Sequence, residues 1–189
     1  MTTSISLKIP CWLDFICACP LLLYRRLKFG FSYRKIFLSE GKYAKVDQKD
    51  YYWLNSYKWI VYGNRNNFYA VRNVIIGPNQ TKTISMHRLI MNPPDDMLVD
   101  HRNCDSLDNR GDNLRNATHS QNMQNRRKWK NTSSQYRGVS KFGKKWRGQI
   151  IHKGKSYWLG LFEKEVDAAK AYDKAAKRYY GEFTRLNFP

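Results

Sequence analysis

An aspartate and a histidine stand side by side at Asp100-His101, and asparagines follow at Asn113 and Asn122, 12 and 21 residues beyond the histidine. These side-chain types suit hydrolysis of a phosphodiester. A hard cation such as Mg²⁺ takes oxygen ligands and keeps positions for water and phosphate, and Asp100 and Asn122 can supply such ligands; Mn²⁺ is the second choice. Imidazole titrates near neutral pH, which makes His101 the candidate general base for an attacking water. A bound cation would polarise the phosphate and stabilise the leaving oxygen. Asn113 would hold the intervening loop and orient the imidazole. His87, within MHRLI, can approach phosphate or simply pack, and His119 can face the site or merely begin a helix. An Asp-His pair alone arises by chance, and Asn-rich stretches are commonly turns, so the argument rests on the four positions together. His101, Cys104 and His119 lack a fourth partner at zinc spacing.

Convergence of these groups needs two strands and a helix. The pattern predicts a strand over Met97–Arg102, a second over Leu114–Thr118 and a helix over His119–Lys128. Upstream, residues 36–76 read as short β-like runs rich in Tyr, Trp, Val and Ile, with turn signals at Gly63-Asn64 and Gly77-Pro78. YYWLNSYKW reads as a short helix or turn that packs aromatics, and TKTISMHRLI as strand-like. Residues 1–35 differ: Ile9–Tyr24 is apolar but interrupted by Pro10, Asp14 and Pro20, too short for a good membrane span. Only Lys8 precedes it as a basic flank, which is thin for a signal peptide. We read residues 1–35 as an extension outside the functional fold.

The run MHRLI…VDHRNCDSLDNRGDNLRNATHSQNMQN resembles the HNH family of phage and intron homing endonucleases, whose ββα-metal core has this order. The resemblance covers roughly residues 36–128, within a nuclease domain drawn at 36–130. It implies Asp100 and Asn122 as metal ligands, His101 as general base and Asn113 as the structural asparagine. The third motif position is Asn122 rather than histidine, as in the phage-type subgroup. Cys104 stands where these proteins often carry glycine.

The basic run Arg126–Lys130 and polar Asn131–Ser134 read as a linker, and residues 131–189 change character. Alternating runs at Tyr136–Ser140, Trp146–His152 and Ser156–Phe162, with Gly143 and Gly154 between them, predict a three-stranded meander. Glu163–Tyr180 carries Val166, Ala169, Tyr172, Ala176 and Tyr179 at helical spacing, and Gly181 suits its stop. Its alanines would let the helix sit close on the sheet. The expected fold class is therefore α+β, a ββα-metal core followed by a three-stranded antiparallel sheet packed on one helix. Tyr136-Arg137-Gly138-Val139, Trp146–Ile150, Tyr157–Gly160, Asp167–Asp173 and Leu186-Asn187-Phe188 resemble the Apetala-type, ethylene-response-factor DNA-binding domain. That resemblance implies a sheet laid in the major groove. Strand alternation puts Arg147, Gln149 and Ile151 on one face and Trp146, Gly148 and Ile150 on the other. The candidate groove set is Arg137, Lys141, Lys144, Arg147, Gln149, Lys155 and Trp158, with Trp158 equally readable as core. Arginine can read guanine and glutamine adenine. The plant factors place arginine where this chain has Ser140, so their target sequence does not carry over.

Charge agrees. The chain holds 34 Lys and Arg against 15 Asp and Glu, a formal charge of +19, and residues 131–189 alone hold 13 against 5. Such an excess favours a polyanionic partner through counterion release. The basic residues are spread through whole segments, which argues against a membrane-surface helix. The four cysteines show no disulfide spacing and fit a reducing interior. The expectation is an intracellular, nucleoid-associated enzyme that cuts double-stranded DNA with a divalent ion, with no small-molecule cofactor and no membrane partner. A DNA-binding transcription-factor-like protein with an inactive HNH region is the alternative, and a basic RNA binder fits charge but not the metal constellation. Oligomeric state, target site and nicking against double-strand cutting are not legible.

Overall fold

The computed structural model describes residues 11–64, 67–128 and 132–189. Ile9, Pro10 and the linker residues Trp129–Asn131 lie outside them. The chain divides into two units, Met1–Asn92 with Asp105–Arg115, and Pro93–Cys104 with Asn116–Pro189.

In the first unit the apolar stretch forms α1 (Cys11–Phe29), with Pro20 inside it and Gly30 just beyond at φ 79°. Asp14 pairs with Arg34 at 2.9 Å, and Arg25 donates to the Tyr33 carbonyl. The segment read as an extension thus touches the start of the first strand. No helix among the described residues is long and apolar enough to cross a membrane.

β1 (Arg34–Phe37) and β2 (Tyr43–Val46) form an antiparallel hairpin with Ile36 opposite Ala44. α2 (Gln48–Asn55) follows, so the aromatic-rich stretch is helical as far as Asn55. β3 (Ile60–Asn64), β4 (Asn67–Gly77) and β5 (Gln80–Ser85) form an antiparallel sheet in chain order. Ile36, Val46, Leu54, Trp59, Ala70 and Met86 are buried together, each large one contributing roughly 1.5–3 kcal/mol. The Trp59 indole N–H donates to the Leu54 carbonyl at 2.8 Å, which satisfies its buried polar tip.

The strand-like reading of TKTISMHRLI holds only to Ser85, because Met86–Met91 is the helix α3. Met86, Leu89 and Ile90 repeat at helical spacing and all meet the core. Asn92, at φ 42°, ends the helix in the left-handed region, ahead of Pro93-Pro94.

Beyond the diproline, β6 (Leu98–His101) and β7 (Leu114–Ala117) form a two-stranded sheet, followed by α4 (His119–Asn125). Thr118 and Gln121 form a reciprocal capping box at the helix start. The helix ends three residues earlier than its periodicity predicts, at Arg126 with ψ 142°.

β8 (Val139–Phe142), β9 (Lys145–His152) and β10 (Lys155–Phe162) make the expected antiparallel meander, with α5 (Glu165–Tyr180) across one face. Ala168 and Ala169 pack on Val139, and Tyr172 and Ala176 on Ile150. β8 begins later than the alternation suggests because Gly138 has φ 70°. A Cβ there would lie 1.8 Å from the Tyr172 ring, so the position needs glycine for backbone and for space. The C-terminal tail is clamped to α5: the buried Asp173 accepts from the Asn187 and Phe188 backbone N–H groups at 2.8–3.0 Å, and the fold is α+β throughout.

Candidate functional site

β6 ends on Asp100 and His101, both buried, with Asp100 only 4% exposed. The Asn125 amide donates to Asp100 Oδ1 at 2.9 Å, to Oδ2 at 3.1 Å and to the His101 carbonyl at 2.8 Å. One buried amide on α4 therefore fixes both the carboxylate and the backbone beneath the imidazole. Hydrogen bonds to a charged group are worth roughly 1.5–3 kcal/mol each.

Asn122 lies three residues before Asn125, on the same side of α4, and is partly exposed. Its backbone N–H bonds the Thr118 carbonyl at 2.9 Å. His119 is the first residue of α4 and is exposed. His87 sits in the first turn of α3 with its ring 5.5 Å from that of Tyr69. The residues His101, Cys104 and His119 form no zinc cluster, and no group of three His, Cys, Asp or Glu among the described residues could hold a metal.

The loop after β6 turns sharply, with the Cys104 N–H bonding the His101 carbonyl at 2.9 Å. Cys104 has φ 58°, a left-handed conformation that costs a side-chain-bearing residue roughly 1–2 kcal/mol. That geometry accounts for the glycine its counterparts often carry. Its sulfur contacts the Asn125 carbonyl at 3.2 Å and Arg185 Nη1 at 3.1 Å.

Asn113 closes a short 3₁₀ turn, Gly111–Asn113. Its buried amide donates to the Asp108 carbonyl at 2.7 Å, so it holds its own loop. Asp108 is 0% exposed and grips Arg110 through two bonds of 2.7 and 2.8 Å. The Arg110 guanidinium also lies 3.4 Å over the Phe31 ring. The Asp108 backbone is held from the other side by a bridge to Lys45. Burial works against the charge on Lys45, yet the Asp105 hydrogen bond and charge hold its ammonium above the usual range. Sequence reasoning gave no role to Asn125, Asp108 or Arg110. The only local hint was the spacing of Asn125, three residues after Asn122 on a helix.

The candidate DNA-reading residues divide by strand register. Trp158 stands opposite Gln149, Leu161 opposite Arg147, and Ser140 opposite Arg147 on the other side. These share the face away from α5, where Trp158 is 59% exposed and so does not belong to the core. Ser140 accepts from Arg147 Nε at 3.1 Å, which orients that guanidinium. Lys141 pairs with Trp146 and Lys155 with His152, so alternation directs both toward the α5 side. Lys144 occupies the turn between β8 and β9. Arg137 precedes β8 and donates to the Met123 carbonyl at 3.5 Å. Burial pushes the neighbouring Tyr172 phenol up, and the Arg137 guanidinium partly offsets that. Phe142 and Ile151 add exposed apolar surface to the open face.

Residues 87–124 match the HNH endonuclease family; the match spans His87, Asp100, His101, Asn113 and Asn122 and stops one residue before Asn125. An uncharacterized HNH endonuclease of Acanthamoeba polyphaga mimivirus is 34% identical over 95 residues, covering 50% of this chain and 49% of the relative. Over a separate segment, the Dehydration-responsive element-binding protein 2A of Arabidopsis thaliana is 44% identical over 62 residues, 31% of this chain and 18% of the relative. An AP2/ERF and B3 domain-containing protein of Oryza sativa subsp. japonica is 45% identical over 58 residues, 30% of this chain and 16% of the relative. The chain thus spans about half of the viral relative and less than a fifth of these plant relatives. The chain is thus similar to HNH endonucleases over one segment and to AP2/ERF-type proteins over another.

Proposed function

We propose that this chain is a site-directed DNA endonuclease that hydrolyses phosphodiester bonds with one divalent ion and is targeted by the open face of its C-terminal sheet. The observation that carries this reading is the buried Asp100 carboxylate, held by Asn125 beside His101 within a segment that matches HNH endonucleases. The donor set fits a hard cation: one carboxylate from Asp100 and one amide oxygen from Asn122 leave room for water, as Mg²⁺ prefers. When bound, such an ion neutralises charge on the phosphate and stabilises the leaving oxygen.

The protein's own groups do the rest. Asn125 keeps Asp100 in one orientation. His101 accepts the proton of the attacking water, a role worth roughly 10²–10⁴ in rate. Asn113, anchored to Asp108, fixes the loop that follows β6. Arg147 and Gln149 read base edges while Trp158 covers apolar groove surface; Arg137, Lys141, Lys144 and Lys155 serve the backbone around them. Double-stranded DNA is the partner.

Incubation with supercoiled plasmid, with and without Mg²⁺, tests the reading. Nicked or linear DNA appearing only with the ion is the expected result. Duplex binding with no cleavage under any divalent ion would leave a DNA-binding protein and overturn the nuclease.

A further inference from the structure

In the first unit, β3 pairs with β4 only as far as Val71. Beyond that point, residues 72–77 of β4 and 80–84 of β5 continue as a two-stranded ribbon. The ribbon is braced at its base, where the Arg72 guanidinium lies 3.7 Å over the Tyr57 ring. Midway along it, the Thr83 hydroxyl donates to Asn73 Oδ1 at 2.9 Å. Its turn is equally constrained. Pro78 fixes one central torsion, and Asn79 adopts the left-handed region at φ 57°, as in a type II turn.

The tip carries apolar surface that lies outside the core of the unit. The register shifts between Ile75, opposite Thr81, and Gly77, opposite Gln80, so Ile76 is a bulged residue with no counterpart on β5. A bulge re-aims side chains that strict alternation would send to opposite faces, and here Ile75 is 81% and Ile76 60% exposed. Single exposed aliphatics are ordinary, but two adjacent ones at the rigid end of a ribbon form a surface suited to binding. Around them the charge has one sign. Residues 51–94 contain Lys58, Arg65, Arg72, Lys82 and Arg88 and no Asp or Glu, and Lys82 is exposed on the ribbon itself. An apolar tip flanked by cations is complementary to a duplex, whose apolar base stack lies between two rows of phosphates.

We propose that the β4–β5 ribbon is a second DNA-contacting element, whose Ile75–Ile76 tip wedges into one base step from the minor groove and bends the duplex. The inference rests on the DNA-acting function above. Unstacking a base step is unfavourable, and burial of two isoleucine side chains between the bases offsets it. The constrained turn matters because a tip already held in shape loses little freedom on insertion. Lys82 meets the phosphates beside the wedge.

The test uses the full chain without divalent ions, so that duplex is bound but not cut. A duplex selected from random sequence for tight binding carries one 2-aminopurine, walked along it, because that base brightens when its stacking is lost. One position brightens with the wild-type chain and stays dark with Ile75→Thr/Ile76→Thr, which keeps β-branching while removing apolar surface. Affinity of that variant falls by about tenfold. Leu27→Gln removes apolar surface that is 79% exposed on α1 and leaves both readings as in the wild type. Lys82→Gln lowers the slope of log affinity against log salt by about 1. Absence of any brightened position with the wild-type chain, a reading that needs no variant to fold, overturns the wedge alone. So does brightening retained in the isoleucine variant, or an equal loss in Leu27→Gln. Capture of anionic lipid vesicles that depends on the two isoleucines, with duplex affinity unchanged by them, reassigns the tip to a lipid surface and also overturns it. Failure of the wild-type chain to bind any duplex overturns the wedge and the proposed function together.

Discussion

Around Asp100 and on the C-terminal sheet, polar side chains are placed by opposite means. Asp100 is buried and gripped by Asn125, and in the other unit Asp108 likewise grips Arg110 and carries Asn113. On the sheet, Arg147, Gln149 and Trp158 stand on an exposed face, while a separate apolar layer of Val139, Ile150 and the α5 alanines supplies the stability. A buried polar group that loses its partner pays the full desolvation cost, whereas an exposed one is resolvated. Side-chain placement and stability are therefore coupled in the first region and separable in the second.

The largest effect expected is at His101. His101→Ala lowers plasmid cleavage roughly 10²–10⁴-fold and leaves duplex affinity unchanged; wild-type cleavage in this variant would remove His101 as base. Gly138→Ala attacks the scaffold of the sheet rather than its reading face. It adds left-handed strain and a clash with Tyr172, costing roughly 3 kcal/mol, seen as a lower denaturant midpoint together with weaker DNA binding. Asn125→Ala breaks the comparison if the two regions behave alike. It leaves Asp100 short of a donor, so stability falls by roughly 1–3 kcal/mol and cleavage falls with it; loss of activity at unchanged stability would separate what the geometry joins. Gln149→Ala, by contrast, costs roughly 1–3 kcal/mol at the single base pair it reads, measured by competition among variant duplexes, with no shift in melting. Smallest is Cys104→Gly. Relief of the left-handed backbone is offset by the greater freedom of glycine in the unfolded chain, so a thermal scan moves by less than about 1 kcal/mol equivalent.

Much of this was legible because periodicity and spacing are local. The alternation from Trp146 to Phe162 defined two strands to within a residue, and the helical repeat of Ala169, Tyr172 and Ala176 defined α5, since each pattern follows from which side chains must leave water. Asp100, His101, Asn113 and Asn122 marked a segment that resembles HNH endonucleases before any fold was known, and residues 87–124 match that family. The strand-like MHRLI misled because a short apolar run has no period long enough to distinguish β from α. Its helix is decided by Met86, Leu89 and Ile90 meeting the core.

What only the tertiary structure decided concerns partners distant in sequence. Nothing local says that Asn125 reaches Asp100, 25 residues earlier, or that Arg110 lies over the Phe31 ring. Trp158 could be core or surface until its register opposite Gln149 put it on the face α5 leaves open. The left-handed turn at Cys104 likewise depends on how the loop closes back to His101. Local sequence dictates which elements form, because periodicity is set by the burial of neighbours a few residues apart. Which buried oxygen meets which amide is set by chain closure over tens of residues, and only the folded molecule specifies it.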